Sequence, residues 1–276
     1  MIGPVTRIAP TPSGRLHEGN AVNFLLASWW ARELGARLDL RIDDVDEGRL
    51  REEYLEDVFE VLDWLGVTWM NGPRTPDEAH ARRSDRVAEA RRALEEARTA
   101  GLPVYACACS RSQVTRIPTG GCPGGCRTRG LTLEAGRTAL RIAVPEGTAI
   151  NMDGQVVRLD VAMGDFVIWR RDDIPAYQWV SLIEDTADGV THILRGEDLR
   201  ESSAAQVHLA QYLPNPAFLA TRIRHHGLVV DVAGIKLSKS TGAGVGVVRD
   251  DATLARIRAL AVSVGSPLGI GPGTDA

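Results

Sequence analysis

The sequence predicts an α/β protein with a parallel, doubly wound sheet interrupted midway. Three observations carry that reading. The chain opens with a short apolar run, Val5 to Ala9, then a turn holding Pro10, Pro12 and Gly14, then an almost wholly apolar segment from Ala21 to Leu34. Strand-like and helix-like stretches go on alternating later in the chain. Between about residues 105 and 174 the texture changes to cysteines, glycines and runs of period two, as an inserted block would show.

Taken in order, Val5–Ala9 reads as a buried strand and Ala21–Leu34 as a buried helix, with His17, Gly19 and Asn20 at its mouth. Arg37–Asp43 alternates and predicts a second strand ending in the acidic cluster Asp43, Asp44 and Asp46. Glu52–Leu65 carries Tyr54, Leu55, Val58, Leu62 and Leu65 at helical spacing, and Gly66 is a normal helix stop. Arg74–Gly101 is a further helix with a weaker apolar stripe. Its arginines alternate with acids, so a solvated face outweighs an RNA-binding one. Within the inserted block, Ala139–Val144, Val156–Ala162 and Phe166–Arg170 predict antiparallel strands, with a turn at Asn151–Gly154. Pro175–Asp185 and Glu201–Leu213 predict helices around a strand at Val190–Leu194. Leu228–Val232 predicts the last strand, Asp251–Val264 the last helix, and the Gly/Pro-rich end from Gly265 a frayed tail.

Composition sets outer limits. A chain of 276 residues can bury a real core and form one large or two small domains. With 32 basic and 36 acidic residues the net charge is −4, which argues against a general nucleic-acid binder but leaves room for a local basic face. The N-terminus lacks a basic-then-apolar leader and no run of 18 apolar residues occurs, so a soluble cytoplasmic protein with no membrane partner is expected. All four cysteines fall between Cys107 and Cys126, which marks a local site rather than a secreted disulfide framework.

Two stretches carry chemistry. A helix N-terminus presents N–H groups and partial positive charge, which suits an anion such as a nucleotide phosphate, and Gly14 and Gly19 would let backbone approach it closely. Alone, the turn reads equally as an ordinary βα connection. Downstream, Lys236-Leu237-Ser238-Lys239-Ser240 sets two lysines three apart in a polar loop, where they can bracket a polyphosphate. Together these stretches resemble the two signatures of class I aminoacyl-tRNA synthetases. His17-Glu18-Gly19-Asn20 is similar to the "HIGH" element, and Lys236–Ser240 to "KMSKS" with Leu for Met. The stretch Arg7–Gly14 resembles the glutamyl branch, which includes glutamyl-tRNA synthetases and the shorter glutamyl-queuosine tRNA(Asp) synthetases.

The resemblance implies a split Rossmann-like core with an inserted, zinc-containing acceptor-type subdomain. The expected division is 1–104 and 175–246 for the two halves of the core, 105–174 for the insertion, and 247–276 for a short C-terminal helix and tail. It implies amino-acid activation, in which a carboxylate attacks the α-phosphate of ATP and pyrophosphate leaves, with Mg2+ arriving on ATP. His17, Gly19 and Asn20 would serve ATP from one side, and Lys236, Ser238 and Lys239 from the other, with His17, Asn20 and the two lysines catalytic. For L-glutamate, Arg7 stands where the family places a guanidinium for the side-chain carboxylate. Ala9, Thr11, Tyr177 and Ser181 would line the pocket, Asp43 would receive the α-ammonium, and Arg195 matches a second substrate-facing arginine. In isolation the arginines read as structural ion pairs and Tyr177 as packing. Glu18 stands where the family has an apolar residue, and a carboxylate so near a polyphosphate is unfavourable unless it points away.

Cys107, Cys109, Cys122 and Cys126 supply four thiols, enough for a closed tetrahedral zinc site of structural type. The glutamyl enzymes carry a zinc knot here, and Cys122 takes the place where the queuosine-type enzyme has a Tyr. Free thiols or a redox pair are the alternative. After the lysine stretch only residues 241–276 remain, the layout of the queuosine-type enzyme, whose acceptor is queuosine in tRNA(Asp). The competing readings are an amino-acid ligase serving a small molecule or carrier protein, and a non-catalytic synthetase-like module.

Overall fold

The computed structural model describes residues 3–46, 48, 50–80, 83–114, 122, 124–229 and 246–273. In chain order the described strands are β1 (Val5–Ile8), β2 (Arg37–Leu40), β3 (Val104–Cys107), β4 (Ala139–Ile142), β5 (Ala149–Met152), β6 (Gln155–Arg158), β7 (Val167–Trp169), β8 (His192–Gly196) and β9 (Arg222–His226). The described α-helices are α1 (Glu18–Leu34), α2 (Glu52–Trp64), α3 (Pro76–His80), α4 (Arg83–Thr99), α5 (Arg111–Val114), α6 (Leu159–Ala162), α7 (Tyr177–Ala187), α8 (Arg200–Ala210) and α9 (Asp251–Gly265). They fall into two compact units. One comprises Met1–Arg83, Val190–Asp198 and Thr221–Ala276; the other comprises Ser84–Gly189 and Leu199–Ala220.

The first unit is built on parallel pairing. β1 runs beside β2 with Val5 opposite Arg37 and Ile8 opposite Leu40, and β8 runs beside β9 with His192 opposite Arg222. Thr191, just ahead of β8, ties the two pairs together. Its N–H donates to the Val5 carbonyl at 2.9 Å, and its hydroxyl oxygen accepts the Val5 N–H at 2.8 Å. The β1–β2 pairing runs on past the strand ends through Arg41 N–H to the Ile8 carbonyl and Asp43 N–H to the Pro10 carbonyl.

α1 is apolar almost all round, and a helix of that kind is stable only inside a core. Val22, Phe24, Leu26, Trp29 and Trp30 are all buried, packed in one cluster with Leu55, Val58, Val61 and Leu62 of α2 and Ile257 and Ala261 of α9. Gly35 ends α1 in the left-handed conformation (φ 58°), with its own N–H bonded to Arg32 and the Ala36 N–H to the Ala31 carbonyl, a Schellman stop. α9 begins with an Asp250 carboxylate accepting the Thr253 N–H at 2.7 Å and passes so close to α1 that Gly265 leaves no room for a side chain: a Cβ there would lie 2.7 Å from Leu26.

The second unit is antiparallel. β4 lies between β3 and β7, and β5–β6 form a hairpin whose turn residues Asp153 and Gly154 both take positive φ, the geometry of a two-residue turn that matches strand twist. The Trp179 indole N–H of α7 reaches the Ala90 carbonyl of α4 at 2.9 Å, and Arg86 of α4 pairs with Glu184 of α7. Asp165 is the polar centre of the sheet. It accepts the Tyr105 hydroxyl at 2.6 Å, the Val144 N–H at 3.0 Å and the Arg127 guanidinium. Burial alone would raise the Asp165 carboxyl; Arg127, Tyr105 and the Val144 amide outweigh it and hold the group below the usual carboxylate range.

Several expectations are corrected. Of the helix read over Arg74–Gly101, Pro76–His80 and Arg83–Thr99 are helical, and residues 81–82 between them lie outside the described ones. The strand read over Val156–Ala162 ends at Arg158, where the chain turns into the short α6, so that Leu159 is fully buried. The strands β3 and β5 were not read from the sequence. The strand expected at Leu228–Val232 is instead β9, ending at His226; Leu228 and Val229 are not in a strand, and residues 230–232 lie outside the described ones. β9 escapes detection because its residues, Arg222 to His226, are mostly charged or aromatic-polar.

Gly72 tests the close packing of the segment beside β2. It sits at φ 113°, and a Cβ there would lie 1.9 Å from the Leu40 carbonyl oxygen. Gly72→Ala should therefore cost about 2 kcal/mol or more and lower Tm by several degrees in a thermal melt. A melt unchanged from the parent would show that this approach is looser than described.

Candidate functional site

The first unit gathers most of the residues that the sequence singles out. β1 carries the buried Arg7, and the chain then passes Ala9 and Thr11 into the turn and reaches His17. His17 has extended backbone (φ −111°, ψ 167°) and is the last residue before α1, so the first helical N–H groups, from Glu18 and Gly19, belong to the same mouth. Asn20 closes that mouth from inside: its side-chain oxygen accepts the His17 N–H at 3.1 Å, the reciprocal half of a capping box. Gly19 is half-buried at this first turn. Arg195 is buried on β8, the strand that Thr191 ties to β1, so the two arginines stand on neighbouring strands. Asp43 lies just past β2 and accepts Arg41 Nε at 2.9 Å, so its carboxylate is already oriented by one cation.

Glu18 has a clear physical account. Both its oxygens are held by Arg256 of α9, at 3.2 Å from Nε and 2.5 Å from Nη2. A bidentate pair of this kind neutralises the carboxylate and fixes its direction. The charge that looked misplaced beside an anion site is thus a strut between the first turn of α1 and the C-terminal helix. Sequence reasoning missed Arg256, because nothing local marks a partner so far along the chain. It also missed Asp57, a carboxylate on the apolar stripe of α2, whose position among Leu55, Val58, Val61 and Leu62 was an available signal.

The second unit holds the other candidates. Tyr177 is the first residue of α7, and Ser181, one turn later on the same face, is buried. A cavity of 640 Å3 opens beside their neighbours Ala176 and Gln178, lined also by Phe166, Arg141, Arg170 and Arg171. Arg141 is buried there, one nitrogen donating to the Asp165 carbonyl while Nε has no hydrogen-bond partner. Lys236, Ser238 and Lys239 lie outside the described residues.

The four cysteines converge. Cys107, Cys109, Cys122 and Cys126 are free thiols whose sulfurs all lie within 4.8 Å of one another. Three of the separations are 3.6, 3.4 and 3.8 Å. Zinc–sulfur bonds of about 2.3 Å at tetrahedral angles set sulfurs about 3.8 Å apart, so the cluster has the dimensions a zinc ion needs. Gly124 keeps the cradle open, since a Cβ there would stand 2.9 Å from the Cys109 sulfur. Burial pushes the Cys122 thiol up, but the Cys126 N–H and the neighbouring thiols outweigh it and pull the group down to about 7. Arg171 donates to the Ala108 and Cys109 carbonyls and braces the strand end that bears the first two sulfurs.

Comparison with known proteins identifies the family. Residues 4–119 and 127–256 match the family model of tRNA synthetases class I (E and Q), catalytic domain. The glutamyl-Q tRNA(Asp) synthetase of Rhodobacter capsulatus is 35% identical over 268 residues, 87% of this chain and 92% of that protein. That of Burkholderia cenocepacia is 38% identical over 277 residues, 94% of this chain and 87% of its own. Among solved structures, a glutamate tRNA ligase from Elizabethkingia meningosepticum in complex with its amino acid has a TM-score of 0.65 at 23% identity, covering 86% of this chain and 52% of the ligase. This chain thus spans about half the length of that ligase. The Mycobacterium tuberculosis methionyl-tRNA synthetase bound to methionyl-adenylate has a TM-score of 0.56 at 13% identity, covering 94% of this chain and 62% of that one. At such identities the likeness speaks for the fold. Parallel strands with helices, and a family match over most of the chain, lead to one conclusion: the chain belongs to the class I tRNA synthetases of the E and Q family, in their catalytic domain.

Proposed function

We propose that this protein, like relatives named glutamyl-Q tRNA(Asp) synthetase, is an ATP-dependent ligase, and that it activates glutamate to glutamyl-adenylate and transfers the glutamyl group to queuosine in tRNA(Asp). The observation that carries the reading is the His17–Asn20 helix mouth, set after a strand bearing a buried arginine, in a chain matching those relatives over most of both lengths. In the first half-reaction an oxygen of the glutamate α-carboxylate forms a bond to the α-phosphorus of ATP, and the bond to pyrophosphate breaks. In the second, an acceptor hydroxyl attacks the activated carbonyl, loses its proton, and AMP leaves. Neither step needs a covalent enzyme intermediate. Both need charge and positioning.

The site residues take the following roles in this reading. The α1 mouth, with His17, Gly19 and Asn20, faces the phosphates, and Lys236, Ser238 and Lys239 hold them from the other side, with Mg2+ supplied on ATP. Arg7 reads the glutamate side-chain carboxylate, and Arg195 is the second substrate-facing arginine. Asp43 receives the α-ammonium, for which its hydrogen bond from Arg41 gives it a fixed direction. Ala9 and Thr11 line the pocket beside Arg7, and Tyr177 and Ser181 take substrate roles from the family pattern alone. The cavity beside Gln178, lined by Phe166, Val167 and three arginines of which Arg170 is paired with Asp172, is where an acceptor carrying a ring and anionic groups, as tRNA does, would sit in this reading. The split of the catalytic core by an inserted subdomain over residues 105–174 belongs to the same proposal. The pairing of Glu18 with Arg256 accounts for one departure on which the alternative of a repurposed ligase rested, so glutamate and tRNA(Asp) remain the favoured substrates.

Zinc is the metal proposed for the cysteine cluster. With four thiolate ligands it would be closed to substrate and would stiffen the loop around Gly124 and Gly125. A cytoplasmic location fits these substrates; no described helix is long and apolar enough to cross a membrane.

The first test is amino-acid-dependent ATP–pyrophosphate exchange without tRNA. Glutamate should support exchange, and labelled glutamate should then pass to queuosine-containing tRNA(Asp) but not to the unmodified tRNA. Exchange with a different amino acid, or transfer to neither tRNA, would sink the reading. Lys239→Ala should lower kcat of exchange by about 10²–10³ with an unchanged melt, the usual effect of removing one charged transition-state contact. Metal analysis should find one zinc per chain in reduced protein, and Cys122→Ser should lose it. Because protons compete for the thiolates, zinc should also be released as pH falls below about 6. Protein free of zinc at neutral pH would remove the metal from this account.

A further inference from the structure

Asp57 is buried to 1% exposure on the core-facing side of α2, where the helix pattern calls for an apolar residue. A charge placed so deep lowers stability unless its oxygens are fully engaged. Here they are. One oxygen accepts the backbone N–H of Leu16 at 2.8 Å. The other accepts Arg249 Nη1 at 2.9 Å and stands 3.8 Å from Arg15 Nη1. Arg249 is itself steadied by Glu60, one turn along α2, at 2.7 Å. The Leu16 carbonyl, in turn, accepts the Val247 N–H at 3.1 Å. Thus both backbone polar groups of the residue before His17 are committed, one to α2 and one to the segment that precedes α9. Gly246 lies against the Arg15 side chain, where a Cβ would come within 3.2 Å of Cδ.

We propose that Asp57 is a positioning residue for the activation reaction. Through Leu16 it sets the height of His17 and the α1 mouth. Through Arg249 it fixes the chain that continues from the lysine signature onto the same turn. The turn before α1 and the segment 246–249 are distant in sequence, and one buried carboxylate gives them a common reference point. A leucine at position 57 would pack at less expense in desolvation, but it would hold neither the Leu16 amide nor Arg249. Positioning of this kind is worth far more in rate than in stability, because an error of about 1 Å in a reacting group can cost about 10²-fold.

The inference rests on the activation reading of the same site, and its test separates the two. Asp57→Asn keeps the shape and an acceptor for Leu16 but removes the charge that holds Arg249. Arg249→Met, on a side chain that is a third exposed, removes the partner with less risk to folding. In exchange assays, both variants should lose tenfold or more in kcat/KM for ATP at saturating glutamate, while KM for glutamate, measured at saturating ATP, stays within twofold. Arg249→Lys should recover part of the loss, and the double variant should be no worse than Asp57→Asn alone, since both act through one link. Should Asp57→Asn fail to fold, the Arg249 pair carries the test. ATP affinity is measured in parallel by calorimetry without amino acid, and both variants should bind at least fivefold more weakly than the parent. Folded variants that match the parent within twofold in exchange and in affinity would overturn the inference. So would a loss that tracks only the fraction folded. A parent that binds ATP but does not exchange with glutamate would sink the glutamate reading instead, and the affinity ratio would then decide the role of Asp57.

Discussion

The burial of α1 is the constraint on which the first unit depends. From Ala21 to Ala31 its residues are mostly apolar and none is exposed, so the helix cannot lie on a surface; β1 and β2, α2 and α9 all contribute to the core that surrounds it. Burying a helix fixes its axis, and fixing the axis fixes where its N-terminus opens. The turn before it, with Pro10, Pro12 and Gly14, then has little freedom in delivering His17 to that mouth. A hydrophobic requirement thus sets the location of a polar site, and the Schellman stop at Gly35 sends the chain straight back into β2.

The charges around the mouth follow from the same demand. The proposed polyphosphate site must be electropositive, yet Glu18, Glu53, Asp57 and Glu60 around it are acidic. Each of these carboxylates is spoken for by an arginine: Glu18 by Arg256, Glu53 by Arg15, and Asp57 and Glu60 by Arg249. The exposed pairs contribute little to stability, since water and salt screen them. Their effect is on geometry and local field. They tie the C-terminal segment and α2 to the signature turn, and the three arginines offset all but one of the four carboxylate charges beside it.

Much of this was legible in the sequence, and the parts that were not share a cause. The strand–turn–helix opening, α2, α7 and α9 follow from local periodicity and stop signals, which a single stretch of chain reports by itself. The cysteine cluster was legible too, because only four thiols occur and all fall within a short span. β9 was not, since Arg222, Arg224, His225 and His226 carry no apolar alternation; its parallel pairing with β8 supplies what its side chains do not announce. The α6 turn after Arg158 was missed because Val157, Leu159 and Val161 alternate like a strand; yet Leu159 is buried while Val161 is exposed. Glu18 looked anomalous for a related reason. Its explanation, Arg256, lies on an element that only the fold brings near.

The same reasoning separates two kinds of buried charge in this chain. Asp165 joins Tyr105 of β3 and the Val144 amide beside β4 to Arg127, on the turn that carries Cys126, so its partners belong to the framework of the second unit. Removing it would leave those donors unpaired and weaken the sheet, an effect on folding. Asp57 is satisfied just as fully, but its partners are the turn that bears His17 and the segment that follows the second signature. Its hydrogen bonds therefore join functional stretches rather than framework strands. Equal burial and equal satisfaction do not imply equal purpose. What a buried carboxylate holds in place, rather than how tightly it is held, decides whether its loss is read first in a melting curve or in a rate.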